Sequence, residues 1–411
     1  MQIFNEKSNY HSVTPAVTPK RRQIELADIF RNHAHELENL PYENQKILED
    51  IMNCRTPALG SHYYRCDHCV HEEIRYNSCF NRHCPKCQFI EKLEWMEKRI
   101  GEILDLPYFH IISHLPDRFN GIALSNKDLI YSILFRSTAK ALKAVVAREW
   151  KVKIGITCIL HTWGQNLSLH PHVHCMVPGG GLSFDGTRII QCSDSFFVSE
   201  DMIAEAFMED FLKKLQKAYD NGQLILKGEF SYLMDKTYFK QFIEEAKEEN
   251  WEIFLKRAVS GPKQILEYIA KYRFKIAIEN KRILRLENGI VHFEGTKNHR
   301  NGEVKVIQLK AKEFMRRFLL HILPPEFRKV RYYGIFAGGE RNEKIALGRK
   351  LLGQPEEPVE HADEDKLDLL KRVTGFDATL CPVCKKGHLV KCPPFTKSDM
   401  VRVNNNSDSF P

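Results

Sequence analysis

No run of about 18 consecutive apolar residues occurs anywhere in the 411-residue chain, and the segment MQIFNEKSNYHSVTPAVTPKRR at its start lacks an apolar core. Neither a membrane-spanning helix nor a standard secretion signal is therefore expected. No internal repeat is visible, so the length is organised as two or three domains rather than as an array. An even scatter of cysteines is also missing: of twelve, six lie between Cys54 and Cys87 and three between Cys381 and Cys392. That bunching excludes a disulfide scaffold and reads as metal binding in a large chain that is not exported. What is present is an ordinary globular mixture, 43% hydrophobic and 28% charged, which rules out a disordered or fibrous protein.

Periodicity divides the chain. Residues 23–39 and 42–53 carry apolar positions at helical spacing, with Pro41 as the break, and lead into the cysteine block. A helical pattern follows from Gln88 to about Leu104. Tyr108–Leu115 then reads as a strand, Asp128–Trp150 as a long helix, and Lys153–Trp163 with His170–Val177 as a hairpin around a Gly-Gln-Asn turn, closed by Gly179-Gly180-Gly181. Helices are expected over 199–219, over 236–249 and after Gly261-Pro262, with short strands between 275 and 309. The expected divisions are a flexible 1–22, a helical and zinc-binding 23–105, a core domain 106–353, an acidic linker 354–366 and a small cysteine-bearing piece 367–411.

The net charge of +8 is unevenly distributed. Residues 257–350 hold 22 Lys and Arg against 9 Asp and Glu, and aromatic residues interleave with the cations in Tyr268–Lys275 and Phe327–Tyr333. That mixture suits phosphates and stacked bases. The candidate nucleic-acid contacts are Lys271, Arg273, Lys275, Arg316, Arg317, Arg328 and Arg331.

Cys66-x2-Cys69 and Cys84-x2-Cys87 are two knuckle-like pairs, and the doubled spacing points to one tetrahedral zinc held by all four thiolates. Cys54, His62, Cys79 and His83 are left over in the same block and are candidates for a second, interleaved ion. Cys381-x2-Cys384-x3-His388-x3-Cys392 forms a further candidate set.

The sharpest local pattern is His170-Pro-His172-Val-His174. On a strand, alternate residues share a face, so these imidazoles can converge on a metal. Tyr268 and Tyr272, four apart on an expected helix, stack their phenols on one side. Plain packing is the competing reading of such a pair taken alone. Beside a His-x-His strand and a basic surround, a phenol becomes a candidate nucleophile for a phosphodiester whose charge a divalent ion neutralises.

His172-Val-His174 resembles the His-hydrophobic-His motif of HUH endonucleases. From about residue 25 to 352 the chain is similar to the two-tyrosine rolling-circle transposases of bacterial insertion sequences. The resemblance rests on Leu59–His62, Asn77–Cys87, His161-Thr-Trp-Gly164, His170–His174, Tyr268-x3-Tyr272 and Arg316–Pro324. It implies an α+β fold, an HUH nuclease-type antiparallel sheet with flanking helices, preceded by a small helical and zinc-binding domain that helps recognise element ends. It further implies nicking of single-stranded DNA through 5′-phosphotyrosine links to Tyr268 and Tyr272, strand transfer to target DNA, structural Zn²⁺, catalytic Mg²⁺ or Mn²⁺, and a cytoplasmic, nucleoid-associated bacterial protein. No GxxxxGK[ST] motor motif is present, so unwinding falls to host helicase and replication proteins.

Related enzymes take the third metal ligand from a neighbouring element. Gln165, at the end of the preceding strand, is the preferred expectation beside His172 and His174, with His170 as competitor. A zinc-dependent DNA-binding regulator and a plasmid replication initiator or relaxase are the alternative readings.

Overall fold

Apolar alternation along three central strands sets the middle of the molecule. In this computed structural model, which describes residues 23–192, 195–257, 262–297, 304–355 and 364–393, five strands form one antiparallel sheet. Their spatial order is Val330–Gly334, Gly155–Trp163, Leu169–Pro178, Tyr108–His114 and Ile253–Arg257. The expected flexible segment 1–22 and most of the expected linker lie outside the described residues.

The three inner strands are buried on both faces. Phe109, Ile111, Cys158, Leu160, Val173 and Cys175 face the helices Lys127–Trp150 and Glu200–Asp220 and form the main core with them. The opposite face carries Tyr108, Ile159 and Met176, which pack against Ile265, Leu266 and Ile269 of the helix Pro262–Arg273. Period-two strands thus divide their side chains between an apolar core and a second face that the tyrosine-bearing helix covers. The result is the mixed α+β class expected from the sequence, with antiparallel sheets and flanking helices.

The cysteine module opens with helices Leu26–His33 and Tyr42–Asn53. Their apolar stripes, including Phe30 and Leu48, pack against Phe314 and Phe318 of the helix Ala311–Leu320. A hairpin of Ser61–Cys66 and Glu72–Tyr76 follows. Its other edge pairs with Leu389–Lys391, Arg65 standing opposite Val390, while Leu369 and Leu370 of the helix Lys366–Thr374 pack on Leu93. The described part of the C-terminal segment, residues 364–393, expected to belong to a separate piece, is therefore built into the cysteine module. Among the described residues no helix is long and apolar enough to cross a membrane.

Candidate active site

The histidine strand Leu169–Pro178 presents His170, His172 and His174 on the face toward the tyrosine helix. Strand pairing brings more imidazoles beside them: His172 lies opposite His161 on one neighbour and His114 on the other. The nitrogens of His161, His172 and His174 come within 4.8 Å of one another, and all three residues are buried.

Each of these three rings has one nitrogen in a hydrogen bond. His172 Nδ1 donates to the His170 carbonyl at 2.7 Å, and His161 Nε2 donates to the Tyr272 carbonyl at 2.9 Å. His174 Nδ1 pairs with His110 Nε2 at 2.7 Å. The unanchored Nε2 atoms of His172 and His174 lie 3.1 Å apart, a spacing that suits two ligands on one ion. Burial in an apolar setting disfavours protonated imidazole: it lowers His172 to about 3 and His110 to about 4, and holds His161 and His174 well below the usual range. Neutral imidazole is the ligating form.

The tyrosines complete the cluster. Ile265, Tyr268, Ile269 and Tyr272 follow helical spacing, so the residues that seat the helix on the sheet also aim the two phenols at the histidines. The Tyr272 ring lies 4.4 Å from the His174 ring, centroid to centroid. Its hydroxyl donates to that of Tyr268 at 3.2 Å, and Tyr268 Oη is 3.1 Å from His110 Nδ1. Burial, reinforced by the bond from Tyr272, pushes the Tyr268 phenol well above its ordinary value.

Beside the expected residues the geometry adds a further imidazole. Gln165 is exposed in the hairpin turn, where its backbone carbonyl accepts from Arg282. His161 is the residue that stands with His172 and His174. The register shifts between His161 and Trp163, one bulged residue setting His161 directly opposite His172. His170 turns to a second group with His114 and His172, its Nε2 2.8 Å from His114 Nδ1. His161 and His110 were missed as site residues, although His161 opens the His-Thr-Trp-Gly stretch already singled out.

The cysteines are also partitioned differently from the expectation of one Cys66/Cys69/Cys84/Cys87 site. Cys84 and Cys87 group with Cys54 and Cys79, whereas Cys66 and Cys69 group with Cys381 and Cys384. Sulfur separations of 3.4 Å for Cys54–Cys87, 3.6 Å for Cys79–Cys87, 3.8 Å for Cys66–Cys384 and 3.7 Å for Cys69–Cys381 suit a tetrahedral ion with Zn–S of about 2.3 Å. His62 is exposed on its strand and His83 is half-buried; neither joins a cysteine group. His388 and Cys392 also stay outside, because the knuckle turn ends where Gly387 donates to Cys384 Sγ and the chain leaves as a strand.

The candidate cations separate into three settings. Lys271 is exposed on the tyrosine helix, and Arg273, Lys275 and Arg328 line a cavity beside it. Arg316 and Arg317 both pair with Glu313. Arg331, expected at the nucleic-acid surface, instead points to the opposite face of the sheet: it bonds Ser132 and lies over the rings of Phe135 and Phe327. Cys158 is its register partner, so strand alternation turns it to the core.

Comparison with known proteins bears on this arrangement. Residues 26–113 match the transposase zinc-binding domain of the IS91 type, and residues 155–344 match the family described as putative transposase. A putative transposase, y4qJ, of Sinorhizobium fredii is 39% identical over 375 residues, covering 89% of this chain and 94% of the relative. The transposase for insertion sequence element IS801 of Pseudomonas savastanoi pv. phaseolicola is 26% identical over 335 residues, 79% of this chain and 78% of that protein. No solved structure matches significantly.

Proposed function

The chain belongs to the transposase family that joins an IS91-type zinc-binding domain to a putative-transposase domain, and from that premise we propose that it cuts and rejoins single-stranded DNA at element ends through phosphotyrosine links. The observation that carries this reading is the pair of phenol hydroxyls, 3.2 Å apart, on a helix laid over three clustered histidines.

In this reading one tyrosine Oη attacks the scissile phosphorus as its phenol gives up a proton. The bond to the 3′ oxygen breaks, the 5′ end stays esterified to the tyrosine, and the 3′ oxygen takes up a proton to leave as a hydroxyl. The imidazoles of His161, His172 and His174 would hold a divalent ion, which when bound neutralises charge on the non-bridging phosphate oxygens. His161 also fixes the helix through the Tyr272 carbonyl, and His110 orients the Tyr268 hydroxyl from behind His174. The second tyrosine remains available for a second transfer while the first carries DNA.

DNA is the partner of a transposase. Single-strand preference, dependence on host unwinding proteins and nucleoid association belong to the proposal. Zinc is a structural cofactor of the N-terminal domain family, and we assign one ion to Cys54, Cys79, Cys84 and Cys87 and a second to Cys66, Cys69, Cys381 and Cys384.

The deciding experiment incubates purified protein with labelled single-stranded oligonucleotides tiled across the element ends, with Mg²⁺ or Mn²⁺. A denaturation-resistant protein–DNA adduct that the double substitution Tyr268→Phe, Tyr272→Phe abolishes is expected. Absence of any adduct across the tiling would remove the reading.

A further inference from the structure

A cavity of about 320 Å³ lies beside the histidine cluster, where the end of the tyrosine helix meets the cysteine module. It shares structure with the catalytic group. Trp163 lines it and stacks on His161 at 4.5 Å with the rings 22° apart, and Arg273 follows Tyr272 directly.

Its charge is one-sided. Arg82, Arg273, Lys275, Arg328 and Lys329 line it, and among the described residues no aspartate or glutamate does. Arg82 is already committed to the walls, donating to the carbonyls of Leu323, Pro324 and Phe327. The others retain donor capacity. Arg273 Nε and His83 Nε2 are buried without a hydrogen-bond partner. Lys329 Nζ donates to the Lys275 carbonyl and sits 5.3 Å over the Trp163 ring. Desolvation lowers Lys275 and Arg273 and brings Lys329 down to about 7, as burial does to a cation. Phe274, Phe327 and Ala277 supply an apolar side. Clustered donors without an acid call for an anion, and the apolar side calls for a flat ring attached to it.

We propose that this cavity seats one nucleotide of the single strand next to the scissile phosphodiester, its phosphate received by Arg273, Lys275, Arg328 and Lys329 and its base laid along Phe274 and Phe327. The pocket rests on the strand-cleaving reading for its ligand, since a wall shared with His161 places its occupant in the same strand as the attacked phosphate. A phosphate held here fixes register at the tyrosines without reading sequence.

The test uses the full-length protein and a short fluorescent oligonucleotide, without added divalent ion, over a salt series. Lys275→Met and Lys329→Met should each weaken binding about tenfold and make the slope of log K against log salt shallower by about 0.7, the value for one phosphate contact on a single strand. Arg328→Met, at an exposed rim position, supplies a variant that does not disturb packing. Zinc content and melting temperature, measured in parallel, identify any variant that has misfolded. In a second arm, 5-iododeoxyuridine is stepped along the oligonucleotide under ultraviolet light; one strand position should crosslink to the peptide containing Trp163 or Phe274.

Unchanged salt slopes in folded variants, or crosslinks only outside the cavity, overturn the proposal. So does inorganic phosphate competing as well as the strand with no crosslink formed, which would make the cavity a free-anion site. Adducts on Tyr268 and Tyr272 are scored separately: a changed slope and a cavity crosslink without adducts support the pocket while the nuclease reading fails.

Discussion

The Tyr272 hydroxyl donates to the Tyr268 hydroxyl, so the two candidate nucleophiles are each other's hydrogen-bond partners. They are not equivalent. Tyr268 is half-buried against His110 and keeps its proton strongly, whereas the Tyr272 ring rests on His174. Phenols one helical turn apart cannot both lie in line with the same phosphate.

Tyr272→Phe should therefore depress first-strand nicking by about a hundredfold or more, and Tyr268→Phe by less. Both single substitutions should strongly reduce transposition in cells, because the second transfer needs a free phenol. Adduct yields on single-stranded ends rank the three variants. Equal adduct formation by the double mutant would shift attention to Tyr332 and Tyr333, although Tyr333 faces the main core and Tyr332 sits between Arg99 and Arg341.

His161→Ala, His172→Ala and His174→Ala should each abolish nicking while binding of end DNA persists within about threefold, because the ion acts on charge rather than docking. An all-imidazole donor set is softer than the amide-containing set expected from the sequence and suits Mn²⁺ better than Mg²⁺. Nicking should then saturate at a lower Mn²⁺ concentration than Mg²⁺ concentration. A Gln165→Ala variant that is inactive while His161→Ala is active would reverse the ligand assignment.

Metal analysis of the full chain should find two zinc ions. Cys381→Ser or Cys384→Ser should remove one and Cys54→Ser or Cys79→Ser the other, while Cys392→Ser should remove neither. Loss of either structural ion should lower thermal stability before it alters chemistry. A single zinc in the parent, unaffected by Cys381→Ser, would exclude the site that joins residues 66 and 384.

Arg331→Ala should act on stability. Its guanidinium lies 4.6 Å from the Phe135 ring centroid and 5.2 Å from that of Phe327, contacts worth about 0.5–2 kcal/mol. A lower melting temperature with unchanged salt dependence of DNA binding is expected; the opposite pattern would return Arg331 to the nucleic-acid surface.

Acid should destabilise the fold through its buried histidines. His321 is 3% exposed, bonds Thr162 and the Leu167 carbonyl, and is lowered by burial to about 4. Its contribution is fully present above about pH 6.5, where the unfolded form is also neutral, and is lost progressively as pH falls toward 4, because the unfolded chain then binds the extra proton. Unfolding free energy measured by denaturant should fall with decreasing pH in that window. His321→Gln should make the fall shallower by about 1.4 kcal/mol per pH unit. An identical slope in the variant would show that His321 does not titrate on unfolding.

Local periodicity was readable wherever one short segment carries the whole signal. The alternation of His170, His172 and His174 needed only a strand, and the Tyr268–Tyr272 spacing needed only a helix. Less was legible where the answer depended on a neighbour. Short edge strands such as Ile253–Arg257 and Val330–Gly334 carry little pattern of their own, since pairing and packing supply their order. His161 could be recognised as a cluster member only through the register of the hairpin, which one bulged residue sets.

Sequence by itself determined the chemistry available here: thiolate knuckles, alternating imidazoles and paired phenols, encoded at separations of two to four residues, and a basic segment over 257–350. Tertiary structure alone decided which half-sites meet. A Cys-x2-Cys turn supplies two ligands to a four-ligand ion and says nothing of the other two; those come from Cys381 and Cys384, 312 residues from Cys69 and 318 from Cys66 respectively, brought in when Leu389–Lys391 pairs with Ser61–Cys66. Arg331 likewise faces the core because strand pairing fixes which face each alternate residue takes. Contacts between distant segments depend on the packing free energy of the whole chain, and spacing within one segment does not record it.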